Sequence, residues 1–465
     1  MTLIKSISGI RGTIGGKPGD NLTPLDVVKF TAAYAVWMKT KSEHNKIVIG
    51  RDARLSGDMV SKLVSATLIA MGMEVVDLGL STTPTVEVAV VGEKASGGII
   101  ITASHNPGQW NALKLLNAKG EFISDEDGKK ILSIADEEQY DFLAIDKIGS
   151  YKSDNSWVDK HIELILKLPL VNKEKIAVAN FKIVVDAVNS SGGIFVPKLL
   201  KALGVKNIVE LYCEPTGVFP HNPEPLPENL TAISAEVKKH KADLGIVVDP
   251  DVDRLAFVCE DGNMFGEEYT LVAVADYILK KKKGNTVSNL SSTKALRDVT
   301  EAAGGVYSGA AVGEVNVVTK MKQVNAVIGG EGNGGIIYPE LHYGRDALVG
   351  IALFLTHLAE TKMKVSELRA SYPSYFIAKN KIELKKGIDV DAILKTLHEK
   401  FIAQPCNIED GLKIEFGNEW VHMRKSNTEP IIRIYAESKN EQSANDLAKK
   451  MIREIEAVSA ATMTI

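Results

Sequence analysis

Three carboxylates stand at alternate positions in the segment DPDVDR, residues 249–254. They belong to Asp249, Asp251 and Asp253, and Arg254 follows them. Carboxylates this close repel one another unless a cation lies among them. Mg²⁺ binds a few carboxylates together with a phosphate oxygen, so the segment suits a magnesium ion that assists phosphate chemistry. A solvated acidic turn is the alternative, whereas an EF-hand is excluded because Arg254 stands where that loop requires glycine.

The segment TASHNP, residues 102–107, places a hydroxyl beside an imidazole at Ser104 and His105. Ser104 is a candidate phosphate carrier, a candidate hydrolase nucleophile with His105 as its base, or the first residue of a tight turn. Neighbouring side chains at a strand end diverge, and the chain has no G-x-S-x-G elbow. A hydrolase would also leave the three aspartates unexplained, so the phosphate carrier is favoured.

Two further polar loops contain groups that could hold a sugar phosphate. GGEGNGG, residues 329–335, sets Glu331 and Asn333 among glycines. It is either a flexible turn or a loop whose backbone approaches a sugar while Glu331 accepts hydrogen bonds from hydroxyls. RKSNTEPIIR, residues 424–433, is either an ordinary Ser/Thr turn or a phosphate clamp. The clamp residues would be Arg424, Ser426, Asn427, Thr428 and Arg433.

Arginines stand beside glycines near the N-terminus, in GIRG at residues 9–12 and in GRDAR at residues 50–54. Arg11 or the arginines of the second segment could face an anion. Alternatively, Arg51 and Asp52 could form a surface ion pair.

Strand-like and helix-like segments alternate along the chain, which predicts an α/β protein. The loops TASHNP, DPDVDR and GGEGNGG each follow an apolar strand, and ligands gather at the carboxyl ends of strands in open α/β sheets. The last hundred residues read as a smaller α+β unit. The predicted strands are 46–50, 74–79, 97–101, 181–187, 207–212, 244–248, 255–259, 326–330, 381–386 and 431–438. The predicted helices are 57–72, 190–203, 269–282, 346–359, 390–402 and 440–456.

The composition is that of an ordinary soluble protein of 465 residues, long enough for about three or four domains. The formal net charge of -4 gives no reason to expect a nucleic-acid surface. We find neither a signal peptide nor a run of about 20 apolar residues that would span a membrane. Three distant cysteines, Cys213, Cys259 and Cys406, suggest reduced thiols. We therefore expect a cytoplasmic protein.

Taken together, TASHNP, DPDVDR, GGEGNGG and RKSNTEP resemble, in this order, the signatures of the α-D-phosphohexomutases, over essentially the whole chain. The resemblance implies three similar α/β domains with mixed sheets and a smaller C-terminal α+β domain around a central cleft. It suggests a phosphoserine domain at 1–150, a metal-binding domain at 151–256, a sugar-binding domain at 257–370 and a phosphate-binding domain at 371–465.

The resemblance also implies roles for the residues that carry phosphate and metal. Ser104 would carry the transferable phosphate, and the three aspartates would bind Mg²⁺ together with an oxygen of the phosphoserine. Arg254 and Arg11 would lie near them. Lys114 would transfer a proton, for which its pKa would have to be lowered by neighbouring cations, and His105 is a second candidate for that role.

On the substrate side, the resemblance implies that Glu331 holds sugar hydroxyls and that the clamp at 424–433 grips the phosphate that does not react. Many members read G-E-x-S-G-H in the sugar loop, whereas this chain has Asn333 for the serine and Gly335 for the histidine. His342 or a hydroxyl from elsewhere is a candidate to replace that histidine. In the metal loop, Pro250 and Val252 stand where small residues are common, but all three carboxylates are present.

The implied activity is the interconversion of a hexose 6-phosphate and a hexose 1-phosphate through a phosphoserine enzyme and a sugar bisphosphate. We prefer phosphoglucosamine mutase, with phosphomannomutase/phosphoglucomutase as the alternative. A non-catalytic sugar-phosphate-binding protein is the alternative from a different class. The expected partners are hexose phosphates and bisphosphates, without nucleic acid or membrane, and the expected state is a monomer or dimer.

Overall fold

The apolar runs KIVIG and GGIII form central strands of a seven-stranded sheet, because strands buried on both faces are apolar throughout. The computed structural model describes residues 2–6, 9–383, 389–425 and 431–462, without the side chains of 461 and 462. The chain forms two compact units, one of Met1–Tyr277 with Asn333–Arg369 and one of Ile278–Gly332 with Ala370–Ile465.

The first sheet has the strand order β1-β2-β6-β5-β3-β4-β7. Its strands are β1 (Ile4–Ser6), β2 (Gly9–Thr13), β3 (Lys46–Arg51), β4 (Glu74–Leu80), β5 (Gly97–Ile101), β6 (Trp110–Leu116) and β7 (Ser150–Ser153). Its helices are α1 (Pro24–Lys41), α2 (Gly57–Ala70), α3 (Thr83–Gly92) and α4 (Asp125–Asp136), and a 3₁₀ turn covers Ile145–Lys147. A capping box from Thr23 and proline at the first position start α1.

The second sheet also lies in the first unit and has the order β11-β10-β8-β9. Its strands are β8 (Lys182–Asp186), β9 (Asn207–Leu211), β10 (Leu244–Val248) and β11 (Leu255–Cys259). The helices along this stretch are α5 (Trp157–Leu166), α6 (Lys173–Ala179), α7 (Gly192–Ala202) and α8 (Thr231–His240), with a 3₁₀ turn at Pro227–Asn229. Since β10 and β11 are antiparallel neighbours, the metal loop is the turn between them.

The chain then passes through α9 (Glu267–Lys281) into the second unit. There, β12 (Asn285–Asn289) pairs in parallel with β13 (Tyr307–Ala310) and with β14 (Ala326–Glu331). The helices α10 (Ala295–Ala302) and α11 (Glu314–Gln323) connect these strands. After β14 the chain returns to the first unit, where β15 (Gly335–Ile337), α12 (Ala347–Thr361) and α13 (Val365–Ala370) follow.

The C-terminal part of the second unit is an antiparallel sheet with the order β16-β20-β19-β18-β17. Its strands are β16 (Phe376–Glu383), β17 (Cys406–Asn407), β18 (Leu412–Phe416), β19 (Glu419–Lys425) and β20 (Ile431–Ser438). The helices α14 (Val390–Lys400) and α15 (Glu441–Thr462) complete this part, and their apolar faces share a core with the sheet.

The predicted fold class is confirmed: three α/β domains precede a smaller α+β domain. The predicted strands and helices lie within a few residues of the observed ones, except that 384–386 of the predicted strand 381–386 fall outside the described residues. Among the described helices, none is both long and apolar enough to span a membrane.

Candidate active site

Ser104 follows strand β5 and lies against the metal loop that follows β10, residues 249–254, which is called the aspartate loop below. Its hydroxyl donates a hydrogen bond to Oδ2 of Asp249 at 2.7 Å. Its backbone has φ 49°, a left-handed conformation that is uncommon outside glycine, and its N–H donates to the Thr102 hydroxyl at 2.9 Å. The loop thus holds a buried serine in a strained turn and aims it at a carboxylate, as is typical of functional sites.

A buried arginine fixes the shape of this serine loop. The guanidinium of Arg54 pairs with Asp52 at 3.0 Å and donates to the carbonyl of Ser104 at 2.5 Å. It also donates to the carbonyls of Asn106 (2.6 Å), Pro107 (2.7 Å) and Trp110 (3.0 Å). Asp52 is therefore paired inside the protein with Arg54, and the Arg51 side chain donates instead to the backbone carbonyl of Asp52. The alternative of a surface ion pair between Arg51 and Asp52 is wrong.

The aspartate loop is built on Asp249. Its Oδ1 accepts hydrogen bonds from the backbone N–H groups of Asp253 and Arg254, both at 3.1 Å. These bonds fold residues 249–254 into a tight turn. Val252 lies within that turn at φ 62°, which is exceptional for a β-branched side chain and explains why glycine suits this position.

Asp251 and Asp253 are each held by one oxygen and leave the other unpaired. Oδ2 of Asp251 accepts from Lys114 at 2.7 Å and from the Thr83 hydroxyl at 2.5 Å. Oδ2 of Asp253 accepts from Lys114 at 3.3 Å and from Arg345 at 2.8 Å. Neither Oδ1 atom accepts a hydrogen bond from any described residue, although both are buried.

The three aspartates offer carboxylate oxygens that lie within 4.8 Å of one another. Buried carboxylate oxygens without partners are costly, and a divalent cation would satisfy them. The residues present therefore fit a hard metal ion.

The charges of the loop are unequal. Burial, together with the negative charges of Asp251 and Asp253, raises the pKa of Asp249 well above its ordinary value. Burial acts in the same direction on Asp251, but the Lys114 ammonium outweighs it and lowers the pKa of that carboxyl. Asp251 thus holds its negative charge strongly, whereas Asp249 gains a proton readily.

Lys114 reaches the aspartate loop from β6, which is the antiparallel neighbour of β5. In the register of these two strands, Lys114 lies opposite Ile100. Arg11 reaches the same region from β2, where it pairs with Ala112 of β6. Burial would lower the pKa of Lys114, but the carboxylates of Asp251 and Asp253 raise it above its ordinary value. The lowered pKa that proton transfer by Lys114 would require is therefore not found, because the two carboxylates outweigh both burial and the neighbouring Arg345.

His105 and Arg254 flank the serine and the aspartates. Burial and the nearby charges of Arg254 and Arg11 hold the pKa of His105 well below its ordinary value. Its Nδ1 has no hydrogen-bond partner among the described residues. Arg254 donates to Glu224 at 3.2 Å, so the proline-rich loop at 219–230 contributes to orienting this guanidinium.

In the second unit, Glu331 ends β14 and is buried. Its Oε1 accepts hydrogen bonds from the Asn289 amide at 3.0 Å and from the Gly313 N–H at 3.2 Å. The carboxylate is therefore fixed in orientation by the end of β12 and the N-cap of α11. In the first unit, the Asn333 side chain accepts from the N–H of Gly335 at 3.3 Å.

The two clamp arginines face each other across two antiparallel strands of the second unit. Arg424 of β19 pairs directly with Arg433 of β20. Like charges opposite each other destabilise a sheet, so an anion bound here would offset the repulsion. The predicted clamp residues Ser426, Asn427 and Thr428 lie outside the described residues.

Comparison with known proteins agrees with this geometry. Four domain families match the chain, described as phosphoglucomutase/phosphomannomutase alpha/beta/alpha domains I (residues 3–141), II (159–262) and III (266–375) and the C-terminal domain (360–454). A phosphoglucomutase/phosphomannomutase of Thermococcus kodakarensis is 33% identical over 96% of this chain and 98% of its own length. The chain belongs to the phosphoglucomutase/phosphomannomutase family. It is a phosphohexomutase, an isomerase.

Two other similar proteins carry related names. A phosphoglucosamine/phosphogalactosamine mutase of Sulfurisphaera tokodaii is 32% identical over 96% of this chain and 98% of its own length. A solved structure of a phosphoglucomutase/phosphomannomutase family protein from Burkholderia thailandensis has a TM-score of 0.85 and 26% identity, and the match covers 98% of both chains.

The sequence patterns did not predict how four residues contribute to the site. Arg54 and Thr83 hold the serine loop and Asp251, and Arg345 holds Asp253. Behind Arg345, Asp346 caps α12 and its Oδ2 lies 3.1 Å from Nε2 of His161. Two local signals existed: Arg54 stood in the GRDAR segment, and an N-cap residue before the apolar run of α12 could have identified Asp346.

His342 belongs to the same buried network. Its ring nitrogens lie 3.3 Å from carboxylate oxygens of Asp346 and of Glu87. The described atoms nearest to an added Cβ at Gly335 are those of Arg345 and Asn333. The structure therefore gives no support to His342 as a replacement for the missing histidine.

Proposed function

We propose that this phosphohexomutase interconverts glucosamine 6-phosphate and glucosamine 1-phosphate through a phosphorylated Ser104 and a sugar bisphosphate. The observation that carries the proposal is the 2.7 Å contact between the Ser104 hydroxyl and Asp249 beside two carboxylates with unpaired oxygens. A phosphate on Ser104 would lie beside these carboxylates, and a cation bound there would neutralise charge on the phosphate and on the carboxylates.

The reaction consists of two transfers in opposite directions. A free hydroxyl of the sugar phosphate attacks the phosphorus on Ser104, the bond from phosphorus to Oγ breaks, and a bisphosphate results. The other phosphoryl group then passes back to Oγ. The attacking hydroxyl loses one proton and the leaving oxygen gains one. We assign this exchange to Lys114, whose pKa would fall if a cation neutralised Asp251 and Asp253, with His105 as the second candidate.

We propose that Asp249, Asp251 and Asp253 hold Mg²⁺ with an oxygen of the phosphoserine. When bound, the ion would neutralise charge on the transferring phosphoryl group. Arg11 and Arg254 supply further positive charge around the same group. Since these arginines are buried or half-buried, their charge acts at short range with little screening.

We propose roles for the residues that bind the rest of the substrate. In the second unit Glu331 accepts hydrogen bonds from sugar hydroxyls, and in the first unit Asn333 supplies an amide. Arg424 and Arg433 bind the phosphate that does not react, together with Ser426, Asn427 and Thr428. Binding of that phosphate restricts the motion of the substrate, which lowers the entropic cost of transfer.

The preference for glucosamine phosphate rests on relatives that bear the name phosphoglucosamine mutase. The alternative, a phosphomannomutase/phosphoglucomutase, rests on the Thermococcus relative of that name. Comparing kcat/KM for the 1-phosphates of glucosamine, glucose and mannose on one preparation tests the choice. We expect glucosamine 1-phosphate to give the highest value, and equal values would contradict the preference.

Replacing Ser104 with alanine tests the reaction itself. We expect Ser104→Ala to abolish turnover even with added sugar bisphosphate, and we expect the variant to lose incorporation of labelled phosphate. Ser81→Ala is a matched control, because Ser81 is also buried after a strand of the same sheet. Full activity of Ser104→Ala would refute the phosphoserine mechanism.

A further inference from the structure

The side chain of Arg345 occupies the space that a side chain at position 335 would take. A Cβ built on Gly335 would lie 2.4 Å from Cδ of Arg345 and 3.0 Å from its Cγ. Gly335 has no positive φ, so its backbone would accept other residues. Glycine is therefore needed at this position for space, and Arg345 is the residue that uses the space.

Arg345 extends from there to the aspartate loop. Its Nη2 donates to Oδ2 of Asp253 at 2.8 Å, and both side chains are almost fully buried. Lys114 donates to the same oxygen at 3.3 Å. The two cations fix the carboxylate by one oxygen and leave Oδ1 as the one available to a metal ion.

Hydrogen bonds join the backbone around Arg345 to strand β15 and to the aspartate loop. Arg345 forms an antiparallel bridge with Ile337 of β15, and the N–H of Asp346 donates to the Ile336 carbonyl at 2.8 Å. The N–H of Ala347 donates to the carbonyl of Val252, inside the aspartate loop, at 3.1 Å. The start of the Arg345 side chain is thus held at a fixed distance from Asp253.

We propose that Arg345 is a positioning residue that orients Asp253 toward the bound cation, and that the missing side chain at Gly335 admits it. In this chain a charged side chain from residue 345 fills the place beside the sugar loop where many family members carry a histidine. The inference rests on the proposed metal role of the aspartates. It assigns Arg345 to the metal and leaves sugar recognition to other residues.

Binding of Mn²⁺ to the purified full-length chain, followed by electron paramagnetic resonance, tests the proposal without measuring activity. We expect Arg345→Met to weaken Mn²⁺ binding by about tenfold or more, as removal of an outer partner of a metal ligand does. Arg345→Lys should recover part of the affinity, and it serves as the folded variant if methionine prevents folding. In activity assays the half-saturating Mg²⁺ concentration should rise, while KM for the sugar phosphate changes less than about twofold.

A purely electrostatic role makes the opposite prediction. Removing a positive charge beside carboxylates would strengthen cation binding, so tighter or unchanged Mn²⁺ binding in Arg345→Met would overturn the positioning role. If the wild-type chain binds no Mn²⁺, or Asp251→Asn and Asp253→Asn leave binding unchanged, the proposed metal site fails first and this inference with it.

A double-mutant cycle tests the link between the two positions. Gly335→Ala should weaken Mn²⁺ binding in the wild-type background, because the new methyl group displaces Arg345. In the Arg345→Met background the same change should have little further effect. Independent, additive losses would contradict the link between Gly335 and Arg345.

Discussion

Replacing Arg54 with methionine removes the cation that holds the serine loop from inside the first unit. Methionine has an apolar side chain of similar length. The ion pair with Asp52 and the hydrogen bonds to four loop carbonyls are lost. Breaking a buried ion pair by removing one partner costs about 3–5 kcal/mol. The buried carbonyl of Ser104 adds about 1–3 kcal/mol, because water cannot replace its partner.

The expected loss is therefore about 4–8 kcal/mol, since Pro107 is exposed, Asn106 and Trp110 are half-buried, and their carbonyls can be rehydrated. In thermal unfolding the first transition should fall by at least about 8 °C. Hydrogen exchange followed by mass spectrometry should show faster exchange in 97–116. Arg54→Lys, which keeps the charge but loses the planar fork, should lie between methionine and wild type.

Arg51→Met is the matched control, because Arg51 lies three residues earlier and its side chain donates one hydrogen bond among the described residues, to the Asp52 carbonyl at 3.2 Å. We expect it to change stability by less than about 1 kcal/mol. If Arg54→Met also stays within about 1 kcal/mol of wild type, the reasoning that Arg54 organises the loop is refuted.

Three further results are expected. Gly217→Ala should destabilise strongly in thermal unfolding, because φ is 74° and a Cβ would lie 1.9 Å from the Ala53 carbonyl oxygen. Gly15→Ala is its control, with φ 94° and no atom within 4 Å, and equal losses would contradict the steric argument. Burial opposes protonation of His342, but nearby carboxylates raise its pKa to about 10. The stability this gives is complete below about pH 6.5 and is lost as pH rises to about 10, at up to about 1.4 kcal/mol per unit. Urea unfolding of wild type and His342→Gln should show that difference, and parallel pH profiles would contradict it. Burial raises the pKa of Cys213 and Cys259 to about 12, so in native protein at pH 8 both should resist iodoacetamide, as read by mass spectrometry. Rapid alkylation before unfolding would refute this.

Local sequence patterns were sufficient to predict the helices and strands and the positions of the loops between them. GGIII was predicted as a strand at 97–101 and forms β5 with the same bounds, because an uninterrupted apolar run bounded by polar residues has few other solutions. That Ser104 lies near Asp249 was implied by the resemblance to the phosphohexomutases, while the strand-end positions of the two loops indicated only that each could bind a ligand.

Features that depend on distant partners could not be read from the chain. Arg54 stands in a polar segment that suggests a surface, and its burial follows only from the position of the serine loop. The raised pKa of Lys114 depends on how two carboxylates and Arg345 balance, which spacing along the chain does not encode. In the sequence, Gly335 was a departure from the family's sugar loop, and the steric reason for it is visible only in the path of the Arg345 side chain.

The route of the chain has a consequence for synthesis. The chain leaves the first unit after Tyr277 and returns to it at Asn333. Asp253 is made 92 residues before Arg345, and His161 is made 185 residues before Asp346. On the ribosome, Lys114 precedes the aspartate loop, but Asp253 and His161 emerge well before Arg345 and Asp346. Contacts of such long sequence separation form late, so we expect nascent chains to complete this acidic site only after the segment 333–369 has been made.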